Sequence, residues 1–224
     1  MSKVRVLGTI TMVCLCFAVV FLMDIPQFLK YKKGDIKDFE TVAAHELQKG
    51  DLVQGVIDYT DGCIAEMETS NKTFGVTTSK ETTKRYYAVY MYNENYILYE
   101  TGNQSQYNTL DKLADECEAY YNSLAEIYGE NGSGDAADLI QPSTTLSFTG
   151  EVKVMPSDLV DIFEEWYGEG FDTECEKFMI SHADFSRFSW VIYAGAGAGV
   201  LGIIMLVITI MAWKKDKRDQ SFGY

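Results

Sequence analysis

The chain lacks the short strings that announce common chemistries. Its 224 residues contain no G-x-S-x-G, H-E-x-x-H, C-x-x-C or P-loop pattern, so none of the chemistries tied to those strings has a foothold. Histidine is scarce, with only His45 and His182. Basic residues are short as well: 19 Lys and Arg stand against 33 Asp and Glu, a formal net charge of −14. Such a chain repels the phosphates of nucleic acid, which excludes nucleic acid as a partner.

One string does match a cofactor motif. GAGVLG, residues 197–202, fits G-x-G-x-x-G, but the pattern carries weight only inside a βαβ unit with an acidic residue about 20 positions on. After Gly202 only 22 residues remain, ending in KKDKRDQSFGY. A complete helix, a second strand and a ribose-binding acid do not fit there. No nicotinamide or flavin cofactor is expected, and no other cofactor is indicated.

What the chain has instead is long apolar runs. Phe188 to Trp213 is 26 residues without Asp, Glu, Lys, Arg or His, and a bilayer-spanning helix needs about 20. Val6 to Met23 is a second uncharged run of 18, behind Lys3 and Arg5. Its exit, FLMDIPQF, offers no A-x-A-like cleavage site, and Cys14 and Cys16 follow Val13 and Leu15 rather than the small residue of a lipoprotein box. The first run is therefore expected to remain as an anchor. In the second, Ala194, Ala198 and Gly202 recur every four residues, with Gly195 and Gly199 in a row beside them. Small residues at that spacing let another helix approach closely, which marks a packing face for the first span or for another membrane or envelope protein.

These runs predict five segments: a cytoplasmic N-terminus (1–5), a first span (6–23), an extracytoplasmic domain (24–187), a second span (188–213) and a basic cytoplasmic tail (214–224). Lys214, Lys215, Lys217 and Arg218 follow Trp213 directly, against Arg187 alone at the other end. The excess of positive charge marks the cytoplasmic side, placing both termini in the cytoplasm of a cell-membrane protein. Lys30, Lys32, Lys33 and Lys37, just beyond the first span, point the other way. The middle segment carries 13 Lys and Arg against 31 Asp and Glu, a net of −18. The tails are too short to fold, so function must lie in the domain, the spans or a recruited partner.

For the domain the patterning predicts an α+β fold: an antiparallel sheet with packed helices, flanked by the two spans. A short helix over 38–50 precedes a strand over 51–59, a turn at Asp61-Gly62 and an alternating strand over 63–69. Residues 71–84 read as a loop or ragged hairpin. RYYAVYMY (85–92) and YILYET (96–101) form the clearest hairpin, apolar on both faces of its first strand. A long helix follows, with Asn108 as cap and Gly129 as stop. Asn131, Ser133 and Asp135 have the spacing of a calcium loop, but Ala136 stands where glycine is obligatory, so the match fails. A strand over 145–155 leads to a helix capped by Ser157 with Leu159, Val160, Phe163 and Trp166 on one face, and 172–180 reads as a last helix.

Within this domain the candidates for chemistry are few. Cys63 with a histidine could form a thiol nucleophile pair, although Cys63 in a strand pattern and Cys117 on an apolar helix face suit small hydrophobes. A disulfide between two of Cys63, Cys117 and Cys175 is open. Asp161, Glu164, Glu165 and Glu169 crowd one helix, either as a solvated face or as a cation site. The tyrosines of the hairpin fit strand propensity or a sugar-stacking platform. Asn71, Asn103 and Asn131 head N-x-S/T sequons.

The order of pieces, with KGDLVQGVIDYTDGCIAEMET, the RYYAVYM…YILY hairpin, WYGEGFDTECEKFMIS and the terminal helices, resembles an uncharacterised family of bacterial two-pass membrane proteins. The resemblance covers most of the chain and implies a bacterial envelope setting without a known activity. The expected function is a non-enzymatic binding or assembly module of the envelope. The alternatives are an envelope enzyme of hydrolase type and an accessory subunit acting through its spans.

Overall fold

The computed structural model describes residues 3–23, 25–73, 76–92, 95–128 and 139–221. The chain divides into two compact units, one formed by residues 1–35 with 184–224 and the other by residues 36–183.

The first unit is helical. α1 spans Lys3–Leu22, α2 Ile25–Lys33 and α6 Phe185–Ser221. α1 and α6 each contain a stretch long and apolar enough to cross a bilayer, residues 5–22 and 189–215. They pack antiparallel. Thr11 Oγ1 lies 3.2 Å from Thr209 Oγ1, and Phe21 meets Trp190 edge-on with ring centroids 6.5 Å apart. Between these points the small residues of α6 lie against α1. A Cβ added at Gly202 would fall 2.8 Å from Leu15 Cδ2, one at Gly199 3.7 Å from Ala18 Cβ, and one at Gly195 2.7 Å from Phe21 Cβ. Gly195 and Gly202 are buried while Ala194, Ala198 and Gly199 are half-buried. The GAGVLG string is thus one stretch of continuous helix, with no strand before it.

The second unit is a seven-stranded mixed sheet with helices on both faces. Its strands are β1 (Ile36–Asp38), β2 (Leu52–Ile57), β3 (Thr60–Thr73), β4 (Val76–Met91), β5 (Asn95–Thr101), β6 (Leu146–Val154) and β7 (Cys175–His182), in the order β1-β2-β6-β7-β5-β4-β3. The expected sheet was antiparallel; β1–β2 and β5–β7 are parallel pairs instead. The cause is β7. Residues 175–182, of which 175–180 were expected in the last helix, form the central strand between β6 and β5. Met179 and Ile180 are consecutive and both buried, on opposite faces, which is what a central strand covered on both sides requires. Only one helical turn, α5 (Phe171–Glu174), survives from the expected last helix.

α3 (Gln104–Tyr128) covers one face, packing Tyr107, Leu110, Leu113 and Cys117 on Tyr87, Val89, Ile97, Tyr99 and Phe148. α4 (Ser157–Tyr167) and α5 cover the other, with Leu159, Phe163 and Phe171 on Ala88, Leu98 and Met179. Four local expectations change. Asp61-Gly62 lies inside β3, where Gly62 at φ +105° takes part in a bulge rather than a turn. Residues 38–50 hold only a 3₁₀ turn at Ala44–Glu46. α3 begins at Gln104 because Asn103 Oδ1 accepts from the Ser105 N–H at 3.0 Å, so Asn108 is internal. α4 has Pro156 at its cap and no side-chain capping bond, and Ser157 donates to Asp158 instead.

Residues 71–84, read as a loop or ragged hairpin, continue β3 and β4 as a paired ribbon on either side of residues 74–75. β3 is an edge strand, and its pairing with β4 has four register shifts, irregularities that twist an edge away from pairing with other chains. Gly129, Asn131 and Ala136 lie outside the described residues.

Glu116 anchors the segment that leads into β6. Its carboxylate accepts from the Ser143 N–H at 2.7 Å, the Thr144 N–H at 2.8 Å and the Thr144 hydroxyl at 2.7 Å. Hydrogen bonds from the Thr144 and Ser143 backbone hold its pKa at about 2. A folded-state pKa depressed in this way makes the contact fully present above the ordinary carboxylate range and lost only as pH falls toward 2. In NMR spectra the Ser143 and Thr144 amide protons should therefore titrate with a midpoint near 2. A midpoint near 4 would show that the anchor is not made.

Candidate functional site

Four adjacent strands switch from apolar to polar on the α4 side of the sheet, the switch stepping diagonally across them: Lys153 stands opposite Met179, Ser181 opposite Glu100, and Glu100 opposite Tyr86. Side chains two apart on a strand share a face. β4 runs Ala88, Tyr86, Lys84, β5 runs Leu98, Glu100, β6 ends with Lys153 before Met155, and β7 runs Met179, Ser181. In each row the apolar members belong to the core under α4. The polar members, with Thr101, Gly102, Asn103, Gln104 and His182, line an open cleft of about 620 Å³.

The polar groups converge in a chain of hydrogen bonds. Ser181 Oγ donates to Glu100 Oε1 at 2.7 Å and accepts from Lys153 Nζ at 2.9 Å. Lys84 Nζ pairs with the same Glu100 oxygen at 3.0 Å, and the Tyr86 hydroxyl also bonds Glu100. Glu100 and Ser181 are each 5% exposed. Burial alone would raise the Glu100 carboxyl, but the bonds from Ser181 and Lys84 and the charges of Lys84 and Lys153 bring it below the usual carboxylate range. Burial and the Glu100 charge push the Tyr86 phenol up to about 12. These contacts favour the ionised carboxylate.

His182 belongs to a second network beside the first. Its Nδ1 lies 3.2 Å from the Tyr99 hydroxyl and 3.3 Å from Gln106 Nε2, and Gln106 Oε1 accepts from the Thr101 hydroxyl at 2.5 Å. Gly150, opposite His182 in the β6–β7 ladder, makes room: a Cβ there would fall 2.9 Å from the Ser181 carbonyl oxygen.

The residues singled out in the sequence are scattered. Cys63 is exposed and donates to the Ala65 carbonyl at 3.3 Å. Cys117 and Cys175 are buried, and all five cysteines are free. His45 is exposed on the 3₁₀ turn, and only His182 reaches the cleft. Asp161, Glu164, Glu165 and Glu169 line a shallow groove on α4; among the described residues no group of three or more His, Cys, Asp or Glu could hold a metal ion.

Two of the hairpin tyrosines, Tyr90 and Tyr96, join Tyr59, Tyr121 of α3 and Tyr167 of α4 in a ring ladder, Tyr121–Tyr59–Tyr90–Tyr96–Tyr167, with centroids 5.3–5.8 Å apart. Asn103 is occupied in starting α3, and Asn71 lies in β3. Lys84, Glu100, Lys153 and Ser181 went unmarked in the sequence; the apolar-to-polar switch along each strand is visible there, but not the strand order that aligns the switches. No family model matches the chain, and no curated protein matches it.

Proposed function

We propose that the chain is a two-pass membrane protein whose domain, held outside the cell membrane, binds a small anionic ligand in this cleft without chemically converting it. The observation that carries the proposal is the convergence of Lys84 and Lys153 on the buried Glu100–Ser181 pair in an otherwise acidic domain. A lysine has three N–H donors and no acceptor. Lys84 uses one donor on Glu100 and Lys153 one on Ser181, which leaves each ammonium further donors for acceptors brought by a ligand. A carboxylate or phosphate group supplies such acceptors through charge-assisted bonds. The basic tail after Trp213 supports the orientation.

A hydrolase is the competing reading, because Ser181 and Lys153 are placed like a serine–lysine pair. The direction of the bonds favours binding. The buried Ser181 hydroxyl donates to Glu100, and Glu100, held below the usual carboxylate range, is a poor base.

Calorimetric titration of the detergent-solubilised full chain with inorganic phosphate, acetate and ethylamine tests the proposal. Saturable binding of an anion, weakened tenfold or more by Lys153→Gln, is expected. Binding of the amine alone, or ester hydrolysis abolished by Ser181→Ala, would overturn it. Orientation is read separately, by labelling single cysteines at Ser79 and Ser221 in intact cells with an impermeant maleimide; label at 221 but not at 79 would invert the arrangement.

A further inference from the structure

The four lysines after the first span conflict with the charge rule for orientation, and the structure places three of them on a helix of their own. α1 ends at Leu22 and α2 begins at Ile25, with Pro26 in its first turn, where a missing N–H costs nothing but where α1 could not have continued unbroken. α2 stops at Gly34, whose φ of +70° and whose bond to the Tyr31 carbonyl close the helix, together with the Asp35 N–H on the Lys30 carbonyl.

Its side chains are of two kinds. Ile25, Phe28 and Tyr31 are half-buried, and Tyr31 packs on Phe185 at the start of α6 with ring centroids 5.8 Å apart. Outward lie Leu29, 47% exposed, and the exposed Lys32 and Lys33. The Lys32 ammonium stands over the Phe28 and Tyr31 rings at 5.7 and 5.9 Å. A short helix beginning three residues after an apolar span, with aromatics beside lysines, has the composition of the bilayer interface, where rings sit at headgroup level and ammonium groups reach the lipid phosphates.

We infer that α2 is an interfacial helix that lies on the outer leaflet and holds anionic phospholipid headgroups through Lys32 and Lys33. The inference rests on the membrane reading above and is independent of the cleft. It removes the conflict in the charges. Lysines that bind headgroups in place act as an anchor for the domain's entrance, whereas the tail lysines after Trp213 mark the cytoplasmic side.

The test uses the full chain with its native cysteines replaced, a nitroxide at Leu29→Cys, and reconstitution in phosphatidylcholine with or without phosphatidylglycerol. Power saturation against oxygen and a nickel chelate gives the depth of the label. A label at Val200→Cys, on an exposed position of α6, should report the bilayer interior in both lipids. The label at 29 should lie about 5–10 Å into the headgroup–acyl boundary and move deeper when phosphatidylglycerol is added. Lys32→Gln with Lys33→Gln should abolish that lipid dependence and leave the label at 200 unmoved. A label at 29 in water while 200 is deep, or a depth at 29 indifferent to lipid charge, overturns the inference alone. A label at 200 in water overturns the membrane reading with it.

Discussion

A chain with cysteines in place of Ala18 and Gly199 is expected to close an intramolecular disulfide under mild oxidation. The Cβ of Ala18 and a Cβ built on Gly199 are 3.7 Å apart, within the 3.5–4.5 Å that a disulfide spans. With Cys14 and Cys16 replaced by serine, mass spectrometry of unreduced peptides should find the 18–199 link as the main product. Moving the second cysteine to Gly197, where a Cβ would meet nothing within 4 Å, should abolish it.

The same background measures the close approach of the helices. Leucine at Gly195 brings a Cβ to 2.7 Å from Phe21 Cβ, next to the backbone, while at Gly202 the first atom met is the tip of Leu15. A side-chain tip can turn away but Phe21 Cβ cannot, so Gly195→Leu should lower the yield tenfold or more and Gly202→Ala much less. Overpacking of this kind costs about 1–3 kcal/mol, and 1.4 kcal/mol is a factor of ten. An undiminished yield in Gly195→Leu would show that α1 and α6 do not pack through this face.

Some of these contacts were legible in the sequence and some were not, for physical reasons. Runs without charge announce helices that can span a bilayer, because that signal is local and depends on no partner. The small-residue rows of α6, Ala194, Ala198 and Gly202 in one and Gly195 and Gly199 in the other, are a local pattern of the same kind, since helical period alone aligns them. The β4–β5 hairpin was legible because its partner strand is adjacent in sequence, and the observed register Tyr90↔Tyr96 needs nothing more distant.

β7 was not legible. DTECEKFMI has acidic residues and spacing that suit a helix, and its extended form is imposed by β5 and β6, whose nearest members lie 74 and 21 residues before Cys175. Pairing with distant strands overrides local propensity. The cleft depends on that pairing. Ser181 reaches Glu100 and Lys153 only because β7 is inserted between their strands, so a site whose members come from four strands could not be read before their order was known.

Replacing Phe163 by alanine is expected to be the most damaging single change in the domain. The side chain is fully buried, with Phe171 edge-on at 5.3 Å and Trp166 stacked at 6.0 Å between centroids. It joins α4 to α5 and both to Ala88, Leu98 and Met179 of the sheet. Truncating a buried phenylalanine costs about 3–5 kcal/mol, as lost transfer free energy plus the cavity left behind. Total stabilities are about 5–15 kcal/mol, so the loss is a large share of the whole.

Trp166 lies on the same helix face in the sequence, but it is 41% exposed and gives up less apolar contact on truncation. Trp166→Ala should therefore cost well under half as much. Urea unfolding of the full chain in detergent, followed by near-ultraviolet circular dichroism, separates the two. A midpoint lowered strongly by Phe163→Ala and weakly by Trp166→Ala is the expected order. Equal shifts, or the reverse order, would mean that α4 rests on the sheet through Trp166, and that the apolar row ending at the polar cleft is not the surface α4 covers.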